Sequence, residues 1–419
     1  MRILAIGSKL ELGDLYLSLM REGHDVRVSA WDPAYAGVFD GLVTKVDDWR
    51  AQLPWVGRDG LVFFERVGDG ATQDALRAEG YTVIGGSALG DRLEYDRDFG
   101  QQTLRRAGLR IAEAHHFATA GEAGAWLEAH PGLVVLKYHN NAKASFVGDH
   151  PQGRDVLFQL RRGPQGAVML MPRLEGVEVG VGAYFDGERF LRPACIDFEH
   201  KRFFNGEMGE MTGEMGTLVG YPEDNRIFEA TLARLEQPFR DAGHVGYVNL
   251  NMIANEQGLW PLEFTCRFGI PGYAILAPLQ TAGWGDLLSR MIRRGETRFP
   301  ASSDWSIGIV LTIPPFPEEL PGPDPDADPP VFYHRPPDGD ELAHYHLHDV
   351  RLQDGHLLGR RRTGYVMCVT GTGATVEAAQ AAAAERARNV FAPNMRWRTD
   401  IGDRFLRGEG ERLRRLGWL

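Results

Sequence analysis

The chain has 419 residues, of which 43% are hydrophobic and 25% charged, a composition typical of a globular protein with about two to four domains. Its formal net charge of -11 argues against a nucleic-acid-binding protein, which usually has a basic face. No run approaches the ~18 apolar residues of a membrane span, and the N-terminus lacks the features of a signal peptide, so we expect a cytoplasmic protein.

Residues 1 to about 90 alternate short apolar runs with helical patterns. Strands are predicted at "RILAIG", "DVRVSAWD", "DGLVFFERV" and "YTVIGG", and an amphipathic helix at "ELGDLYLSLMREG". Because this alternation is typical of parallel sheets with helices on both faces, the region predicts an open α/β sheet. The turn after the first strand, "GSKLELG", could hold a phosphate, although it does not match the dinucleotide motif GxGxxG.

A single helix is predicted next, at "RLEYDRDFGQQTLRRAG", followed by a strand that ends near residue 118. Residues 119–185 predict a helix and the strands "GLVVLKYH", "AVMLMPRL" and "VEVGVGAYF". Lys137 ends the first of these strands, whose four consecutive apolar residues indicate burial on both faces. A lysine there needs an anionic partner, because burying an unpaired ammonium is costly; the alternative is a strand-end lysine that extends to water.

Two features follow on the next strands. Glu178 begins a strand beside the turn at Gly176, where its carboxylate could accept hydrogen bonds from ribose hydroxyls; a solvated glutamate is the alternative. The pair Asp186-Gly187 predicts a hairpin turn. Residues 197–220 combine charges, aromatics and five glycines without a clear period after Phe204. They predict a long functional loop whose glycines let backbone amides approach an anion, with a flexible surface loop as the alternative.

A helix over about 224–242 and a hairpin of "GYVNLNMIA" and "GLWPLEFTCRF" are predicted next. From Leu262 to Phe268 the strand alternates apolar side chains with Glu263, Thr265 and Arg267. A buried carboxylate must be paired or metal-bound, and magnesium prefers carboxylates together with substrate phosphates. Arg267 could hold a phosphate or carboxylate by two hydrogen bonds; a structural Glu263–Arg267 ion pair is the alternative.

The segment over residues 314–330, "PPFPEELPGPDPDADPP", is rich in proline and acid and predicts a surface loop or linker. Beyond it, "HYHLHDVRLQDGHLL", "GYVMCVTGTG" and the alanine-rich helix "TVEAAQAAAAERARNVF" predict a small C-terminal domain. The run "HYHLH" places His344, His346 and His348 on one strand face. That pattern resembles a metal site, but it needs ligands from elsewhere, so structural or surface histidines are favoured.

Seven segments, in this order, resemble an ATP-grasp ligase of the phosphoribosylamine–glycine ligase family. "RLEYDRDFGQQTLRRAGLRIAEA" is similar to the family's "LExSKxFxKxFMxxxxIPTA", "LVVLKYHNNAKAS" to "PVVIKADGLAAGKG", and "RLEGVEVGVGAYFDG" to "FLxGEExSxxxxxDG". "FEHKRFFNGEMGEMTGEMG" is similar to "DHKRxxDGDxGPNTGGMG", and "LEFTCRFGIPGY" to "LEFNxRFGDPET". At the C-terminus, "GYVMCVTGTGATVEAAQAAAAERA" and "RTDIGDRFL" resemble "RVLxVTGxGxTLxEAxxxAY" and "RxDIGxRAL".

The resemblance implies a multidomain chain of α/β and α+β class with an ATP-grasp fold. Its expected parts are a Rossmann-like (pre-ATP-grasp) domain over 1–90, an ATP-grasp domain over 91–315 with a lid subdomain over about 119–186, a Pro/Asp-rich linker over 316–330, and a C-terminal α+β domain over 331–419.

The resemblance also implies ATP and Mg²⁺ as cofactors and assigns site residues by position. The nucleotide would be held by Arg97, Lys137 and Lys143 at the phosphates, by Leu174 in the adenine hinge and by Glu178 at the ribose. Magnesium would be held by Glu263 and by Thr265, which replaces the family's asparagine. Arg267, Lys201 and Arg202 would be catalytic, with Arg267 holding the carboxylate or its acyl phosphate.

The chain departs from the family mainly around the amine substrate. Its first loop reads "GSKLELGDL" instead of "GGGGREHAL", which holds the phosphate of phosphoribosylamine, and its lid reads "NNAKAS" without glycine. The resemblance therefore implies an ADP-forming carboxylate–amine ligase that works through an acyl phosphate and takes a changed amine. The alternatives are the phosphoribosylamine–glycine ligase of de novo purine synthesis and a degenerate protein that binds a nucleotide without turnover. The expected partners are a small-molecule carboxylate and amine, with no nucleic acid and no membrane, for a monomer or homodimer.

Overall fold

The computed structural model describes residues 1–138, 145–320 and 328–419. The chain divides into two compact units. The first unit comprises Met1–Glu94, Glu178–Asn251 and Phe264–Leu419, and the second comprises Tyr95–Val177 and Met252–Glu263. Every helix in the described ranges is too short or too polar to span a bilayer.

The first unit begins with a parallel sheet, which confirms the predicted alternation of strands and helices. Its elements are β1 (Arg2–Gly7), α1 (Gly13–Arg21), β2 (Asp25–Ala30), β3 (Thr44–Lys45), α2 (Leu53–Val56), β4 (Leu61–Phe64), α3 (Gly70–Ala78), β5 (Thr82–Ile84) and α4 (Ala88–Tyr95). The strands pair in the order β3–β2–β1–β4–β5, and all pairs are parallel. The chain leaves β1 in one direction and returns to its other side with β4, so these two strands flank the crevice where open α/β sheets bind ligands.

Strands β1 and β4 are apolar throughout because both of their faces are covered. Ile3 and Phe63 belong to one buried cluster, whereas Leu4 and Phe64 belong to another. Continuous apolar runs of this kind are typical of parallel strands between two layers of helices.

The second unit is built on a four-stranded antiparallel sheet. Its elements are α5 (Arg97–Arg106), β6 (His115–Phe117), α6 (Ala120–Ala129), β7 (Val134–Tyr138), β8 (Ser145–Val147), α7 (Arg154–Arg162) and β9 (Val168–Pro172). The strand order is β6–β9–β7–β8. Helices α6 and α7 cover one face of the sheet around Leu127, Leu136 and Val156. The prediction that β7 is buried on both faces is therefore wrong, since Val135 and Lys137 lie half-buried on the other face.

The single helix predicted near residues 91–107 is two helices, α4 and α5. Asp96 separates them, and its carboxylate accepts a hydrogen bond from the Phe99 N–H at 3.0 Å. An aspartate in this position caps the start of a helix, so the chain begins α5 there instead of continuing α4.

The middle of the chain supplies long antiparallel strands. Its elements are β10 (Val177–Phe185), β11 (Cys195–Phe204), β12 (Met208–Gly220), α8 (Arg226–Ala230), α9 (Glu236–Asp241), β13 (Gly246–Asn255) and β14 (Gly258–Thr265). The predicted turn at Asp186 is present, because its carboxylate accepts hydrogen bonds from the N–H groups of Glu188 and Arg189 at 2.8 Å. The helix predicted over 224–242 is interrupted by a 3-10 turn at Leu232–Leu235.

Residues 197–220 form a hairpin of β11 and β12, so the prediction of a long loop is wrong. The two strands pair from Ile196 opposite Gly220 to Phe204 opposite Met208, with register shifts between His200 and Phe204. These shifts and the glycines hide the two-residue period that identifies a strand in sequence.

Strand β14 ends at Thr265, three residues before the predicted end at Phe268. The N–H of Cys266 donates to the Glu94 carboxylate at 2.7 Å, which draws the chain away from the strand direction.

The C-terminal segment adds strands to the sheet of the first unit. Its elements are α10 (Gly272–Leu276), α11 (Gly283–Arg293), β15 (Trp305–Thr312), β16 (Phe332–Tyr333), α12 (Gly339–Leu342), β17 (Tyr345–Leu347), β18 (Val350–Gln353), β19 (His356–Gly359), β20 (Tyr365–Gly373), α13 (Val376–Asn389), β21 (Val390–Phe391) and α14 (Gly410–Arg415). In this unit the strands lie in the order β13–β10–β11–β12–β15–β20–β17. The predicted domain boundaries stay a prediction, and residues 321–327 of the expected linker lie outside the described ranges.

Candidate functional site

The second unit contains a cavity of about 230 Å³ with a cationic and an apolar side. Arg97 and Lys137 contribute positive charge, and Met169 and Met171 contribute apolar surface. Strand pairing explains the arrangement, because Lys137 lies opposite Met169 on the sheet face that α6 and α7 leave uncovered. The cavity is smaller than the roughly 300–1,000 Å³ of pockets that hold drug-sized ligands, so it has room for only part of such a ligand.

Arg97 and Glu263 meet within this unit. The Arg97 guanidinium lies 3.3 Å from the Glu263 carboxylate, and 43% of the Glu263 side chain is exposed. The prediction that Glu263 is buried is therefore wrong. A Glu263–Arg267 ion pair was the alternative. The ion pair that the structure gives for Arg267 is with Glu94 of the first unit, at 3.6 Å.

The expected adenine hinge follows β9. Leu174 packs against the buried cluster that contains Met169 and Met171, as Trp260 also does, which extends the apolar wall of the cavity. The N–H of Arg173 donates to the Leu133 carbonyl at 2.9 Å, so that donor is already used. Lys143, the expected lysine of the lid, lies outside the described residues.

In the first unit, Glu178 and Lys201 lie together on one face of the sheet. Glu178 accepts hydrogen bonds from Lys201 at 3.4 Å and from the amide of Asn251 at 3.0 Å. Lys201 also forms an ion pair with Glu199 at 2.9 Å. The lysine ammonium is therefore held between two carboxylates at a fixed place on the sheet.

Two further carboxyl groups on this unit are almost fully buried. Burial, together with the charge of Glu199, raises the pKa of Asp197 to about 7, although Asn249 donates a hydrogen bond to it at 2.6 Å. Burial and the charges of Glu199 and Asp197 raise the pKa of Glu214 well above its usual range, and the Thr217 hydroxyl donates to it. Such strongly perturbed groups are concentrated at functional sites.

Five residues were not predicted from the sequence: Asp197, Glu199, Glu214, Asn249 and Asn251. A signal for four of them was present, because residues 197, 199 and 201 alternate with Phe198 and His200, and residues 249 and 251 alternate with Leu250 and Met252. That spacing places polar side chains on one face of a strand. The glutamate at 214 gave no such signal, since glycines surround it.

The other predicted catalytic and metal residues have different positions. Arg202 donates to the Gly209 carbonyl at 2.9 Å within the hairpin, so its recorded contact is with the hairpin backbone. Thr265 is the last residue of β14. The charge of Arg267 lowers the pKa of Glu214, against the larger effect of burial. The roles of these three residues stay predictions.

The second unit offers a donor that fits magnesium. Glu263 has a carboxylate side chain that is 43% exposed. Within the described ranges no group of three or more His, Cys, Asp or Glu side chains could hold a metal ion. Magnesium commonly takes only one or two carboxylates together with substrate phosphates, so an all-protein cage is not required.

Two histidines of the "HYHLH" run, His344 and His346, both contact the Thr370 hydroxyl, and only His346 lies within β17. His346 lies 2.9 Å from the Asp14 carboxylate, and both side chains are buried. His344 contacts the Thr370 hydroxyl at 3.0 Å. His348 lies beyond β17 and contacts Asp349, so the expectation that all three histidines lie on one strand is wrong.

A buried carboxylate occupies the crevice at the ends of β1 and β4. Glu65 follows β4, is 1% exposed, and accepts hydrogen bonds from the Tyr16 hydroxyl at 2.8 Å and the Leu12 N–H at 3.4 Å. A Cβ atom at Gly7 would overlap this carboxylate, so the close approach requires glycine at the end of β1. Leu12 immediately precedes α1, and N–H groups at a helix start are a ready site for an anion. Here the protein's own carboxylate occupies that site.

Comparisons with known proteins agree over nearly the whole chain. Residues 95–273 match the family described as phosphoribosylglycinamide synthetase, ATP-grasp (A) domain. The phosphoribosylamine–glycine ligase of Mycobacterium bovis is 27% identical over 456 aligned positions, which cover 98% of this chain and 99% of the relative. The crystal structure of the Thermotoga maritima phosphoribosylamine–glycine ligase superposes with a TM-score of 0.72 at 19% identity. The superposition covers 96% of this chain and 100% of the Thermotoga chain. A biotin carboxylase domain from Hydrogenobacter thermophilus was solved with the magnesium salt of ADP and bicarbonate. It superposes with a TM-score of 0.65 at 10% identity, and the superposition covers 94% of this chain and 91% of that domain.

Proposed function

We propose that this chain, an ATP-grasp carbon–nitrogen ligase that resembles the phosphoribosylamine–glycine ligases, joins a carboxylate to an amine other than phosphoribosylamine. The reaction consumes ATP with Mg²⁺ and forms ADP, an amide and phosphate. Its setting is the cytoplasm, and its substrates are small molecules.

The cavity of the second unit supports the nucleotide part of this proposal. Lys137 and Arg97 place two cations beside the apolar wall of Met169 and Met171, which suits phosphates next to an adenine ring. Phosphoryl transfer depends on positioning and charge neutralisation more than on covalent chemistry by the protein. Magnesium supplies further neutralisation of the phosphates, and Glu263 is its proposed ligand.

The reaction has two steps. A carboxylate oxygen of the first substrate attacks the γ-phosphorus of ATP, so that ADP leaves and an acyl phosphate forms. The amine nitrogen then attacks the acyl carbon, and phosphate leaves as the C–O bond breaks. Arg267 would hold the carboxylate and then the acyl phosphate, and Lys201, fixed between Glu178 and Glu199, would hold developing negative charge.

The position of Glu65 is the observation that supports an amine substrate other than phosphoribosylamine. Its carboxylate accepts hydrogen bonds at the start of α1, in the loop where the resembled family binds the phosphate of phosphoribosylamine. A phosphate brought there would displace or repel a buried carboxylate. The phosphoribosylamine–glycine ligase reaction remains the alternative, because the relatives that match most of this chain carry that name. A degenerate protein that binds a nucleotide without turnover is the second alternative.

Phosphate release separates these functions. The purified protein is incubated with ATP and Mg²⁺ together with pairs of carboxylates and amines, and phosphate and ADP are measured. The proposal expects release with a carboxylate and an unphosphorylated amine. Release only with phosphoribosylamine and glycine contradicts it and supports the family reaction. Nucleotide binding without release under any pair supports the degenerate protein.

A further inference from the structure

His348 has a buried ring nitrogen that lacks a partner. The residue is 8% exposed, its Nδ1 lies 3.1 Å from the Asp349 carboxylate, and its ring stacks on Tyr365 at 3.8 Å between centroids. The Nε2 atom is buried and has no hydrogen-bond partner among the described residues. A histidine with a purely structural role normally has both ring nitrogens satisfied, so this atom requires an explanation.

The segment that carries His348 lies against the start of α1 and the loop after β2, because His346 contacts Asp14 at 2.9 Å and the Phe39 N–H donates to the Val350 carbonyl. Burial alone would lower the pKa of His348, but the nearby charges of Asp349, Glu11 and Glu65 raise it above its usual value. Glu11 lies in the loop after β1 and Glu65 directly follows β4. Two acidic groups from the crevice therefore lie near enough to act on a histidine that comes from the C-terminal segment.

The strand order brings the segment of this histidine towards the hairpin that carries Glu214, because β20, which begins at Tyr365, lies beside β15, and β15 lies beside β12. Tyr365, on which His348 stacks, has a buried hydroxyl without a partner among the described residues. Burial raises the pKa of Tyr365, and the charge of Glu214 adds to that effect. The charge of Arg267 lowers the pKa of Glu214, against the larger effect of burial. All of these residues belong to the first unit.

We propose that His348 accepts a proton from the ammonium form of the amine substrate, which is a cationic amine without a phosphate group. This inference rests on the proposed function, because it assigns the proton acceptor of the second step. The ammonium R–NH₃⁺ transfers one proton to Nε2 and becomes R–NH₂. Its nitrogen then attacks the acyl carbon, the C–O bond to phosphate breaks, and the second nitrogen proton leaves with the phosphate.

The surroundings of His348 suit this role. Asp349 binds Nδ1 and so keeps Nε2 available as the basic nitrogen. Glu11 and Glu65 favour a cation over an anion in the crevice. The nearest lysine of this loop, Lys9, is engaged elsewhere, with Glu319 at 3.6 Å and the Tyr35 ring at 4.4 Å. The titratable groups recorded around the imidazole are Asp349, Glu11, Glu65 and Tyr365.

Two small nucleophiles test the proposal without knowledge of the natural amine. Hydroxylamine is largely unprotonated at neutral pH and needs no base, whereas methylamine is protonated and must lose a proton before it attacks. Each is supplied at high concentration with ATP, Mg²⁺ and a panel of amino acids and dicarboxylates. Hydroxamate and N-methylamide are then measured for the wild type and for His348→Gln, Asp349→Asn and His344→Gln.

We expect His348→Gln to lower N-methylamide formation at neutral pH by about 100-fold, since a positioned base contributes about 10²–10⁴. Hydroxamate formation stays unchanged, which also shows that the variant folds and activates the carboxylate. The methylamide defect shrinks about tenfold for each unit by which pH rises, because free methylamine then becomes available. Asp349→Asn gives a smaller defect of the same kind. His344→Gln, whose imidazole contacts Thr370, changes neither product.

Equal losses of hydroxamate and N-methylamide in His348→Gln would overturn the proposal and indicate a structural role. Unchanged formation of both products would also overturn it. If the wild type forms no hydroxamate with any carboxylate of the panel, the proposed function fails, and the assignment of His348 fails with it. The first two outcomes leave the ligase function standing.

Discussion

Replacing Glu65 with glutamine should stabilise the protein in a strongly pH-dependent way. Burial raises the pKa of this carboxyl group from 4.5 to about 7, against the hydrogen bond from Tyr16. The folded protein therefore keeps a proton on Glu65 between these pH values while the unfolded chain releases it. Stability contributed by the protonated group is complete below pH 4.5 and is lost as pH rises through about 7. At about 1.4 kcal/mol per pH unit, the free energy of unfolding falls by about 3 kcal/mol across this window. The variant with glutamine does not lose this stability, because the amide does not ionise.

The measurement is urea unfolding of the wild type and Glu65→Gln at pH values below 4.5 and above 7. The difference in the free energy of unfolding should move in favour of the variant by about 3 kcal/mol across this window. Glu79→Gln, which changes a solvent-exposed glutamate of the same sheet region, should show little change. A Glu65→Gln difference that stays constant with pH would refute the raised pKa, and with it the view that a buried carboxylate occupies the start of α1.

Three further changes test other parts of the molecule. Glu263→Gln should abolish Mg²⁺-dependent phosphate release without unfolding the chain. The control Glu128→Gln, which changes an ion-paired glutamate on α6, should keep full release. Phosphate release near the wild-type rate by Glu263→Gln would show that Glu263 is not the magnesium ligand. Lys137→Met should raise KM for ATP by about tenfold or more, because a hydrogen bond to a charged group contributes about 1.5–3 kcal/mol. An unchanged KM in steady-state kinetics would show that Lys137 does not bind the nucleotide. Asp14→Ala should lower the free energy of unfolding by about 1–3 kcal/mol, since it leaves the buried His346 ring nitrogen without its partner, and urea unfolding would contradict this if the loss were negligible.

The sequence predicted the architecture best where one local pattern determines the structure. The parallel sheet follows from continuous apolar runs separated by helical segments, and the Asp186 turn follows from a side chain that bonds its own loop. Lys137 and Arg97 were assigned from the resemblance, and the structure brings both to one cavity of the second unit. Their neighbours Met169 and Met171 come from β9, about thirty residues beyond Lys137, so only strand pairing reveals the apolar wall.

The sequence failed where a structure depends on pairing between distant segments. The hairpin of β11 and β12 is rich in glycine and has register shifts, so its alternation is broken although its strands are long. Glu65 looked like the polar end of an apolar run, because its role depends on how closely β4 approaches Gly7 and the start of α1. His348 was grouped with two other histidines by spacing, yet its ring belongs to a different environment set by Tyr365 and Asp349.

The roles proposed for Glu65 and His348 depend on each other, because both residues belong to segments beside the crevice of the first sheet. A carboxylate in the crevice attracts an ammonium and, by the same interaction, makes that ammonium harder to deprotonate. An amine held in this way cannot attack an acyl carbon until a base removes its proton, so selection of a cation requires a proton acceptor in the same place. His348 is our proposed acceptor, since Asp349 occupies one ring nitrogen and the other has no partner among the described residues. The charges of Glu11 and Glu65 raise the pKa of this histidine. A ligand anchored through a phosphate would instead require the start of α1 to be open, and that position is occupied by Glu65.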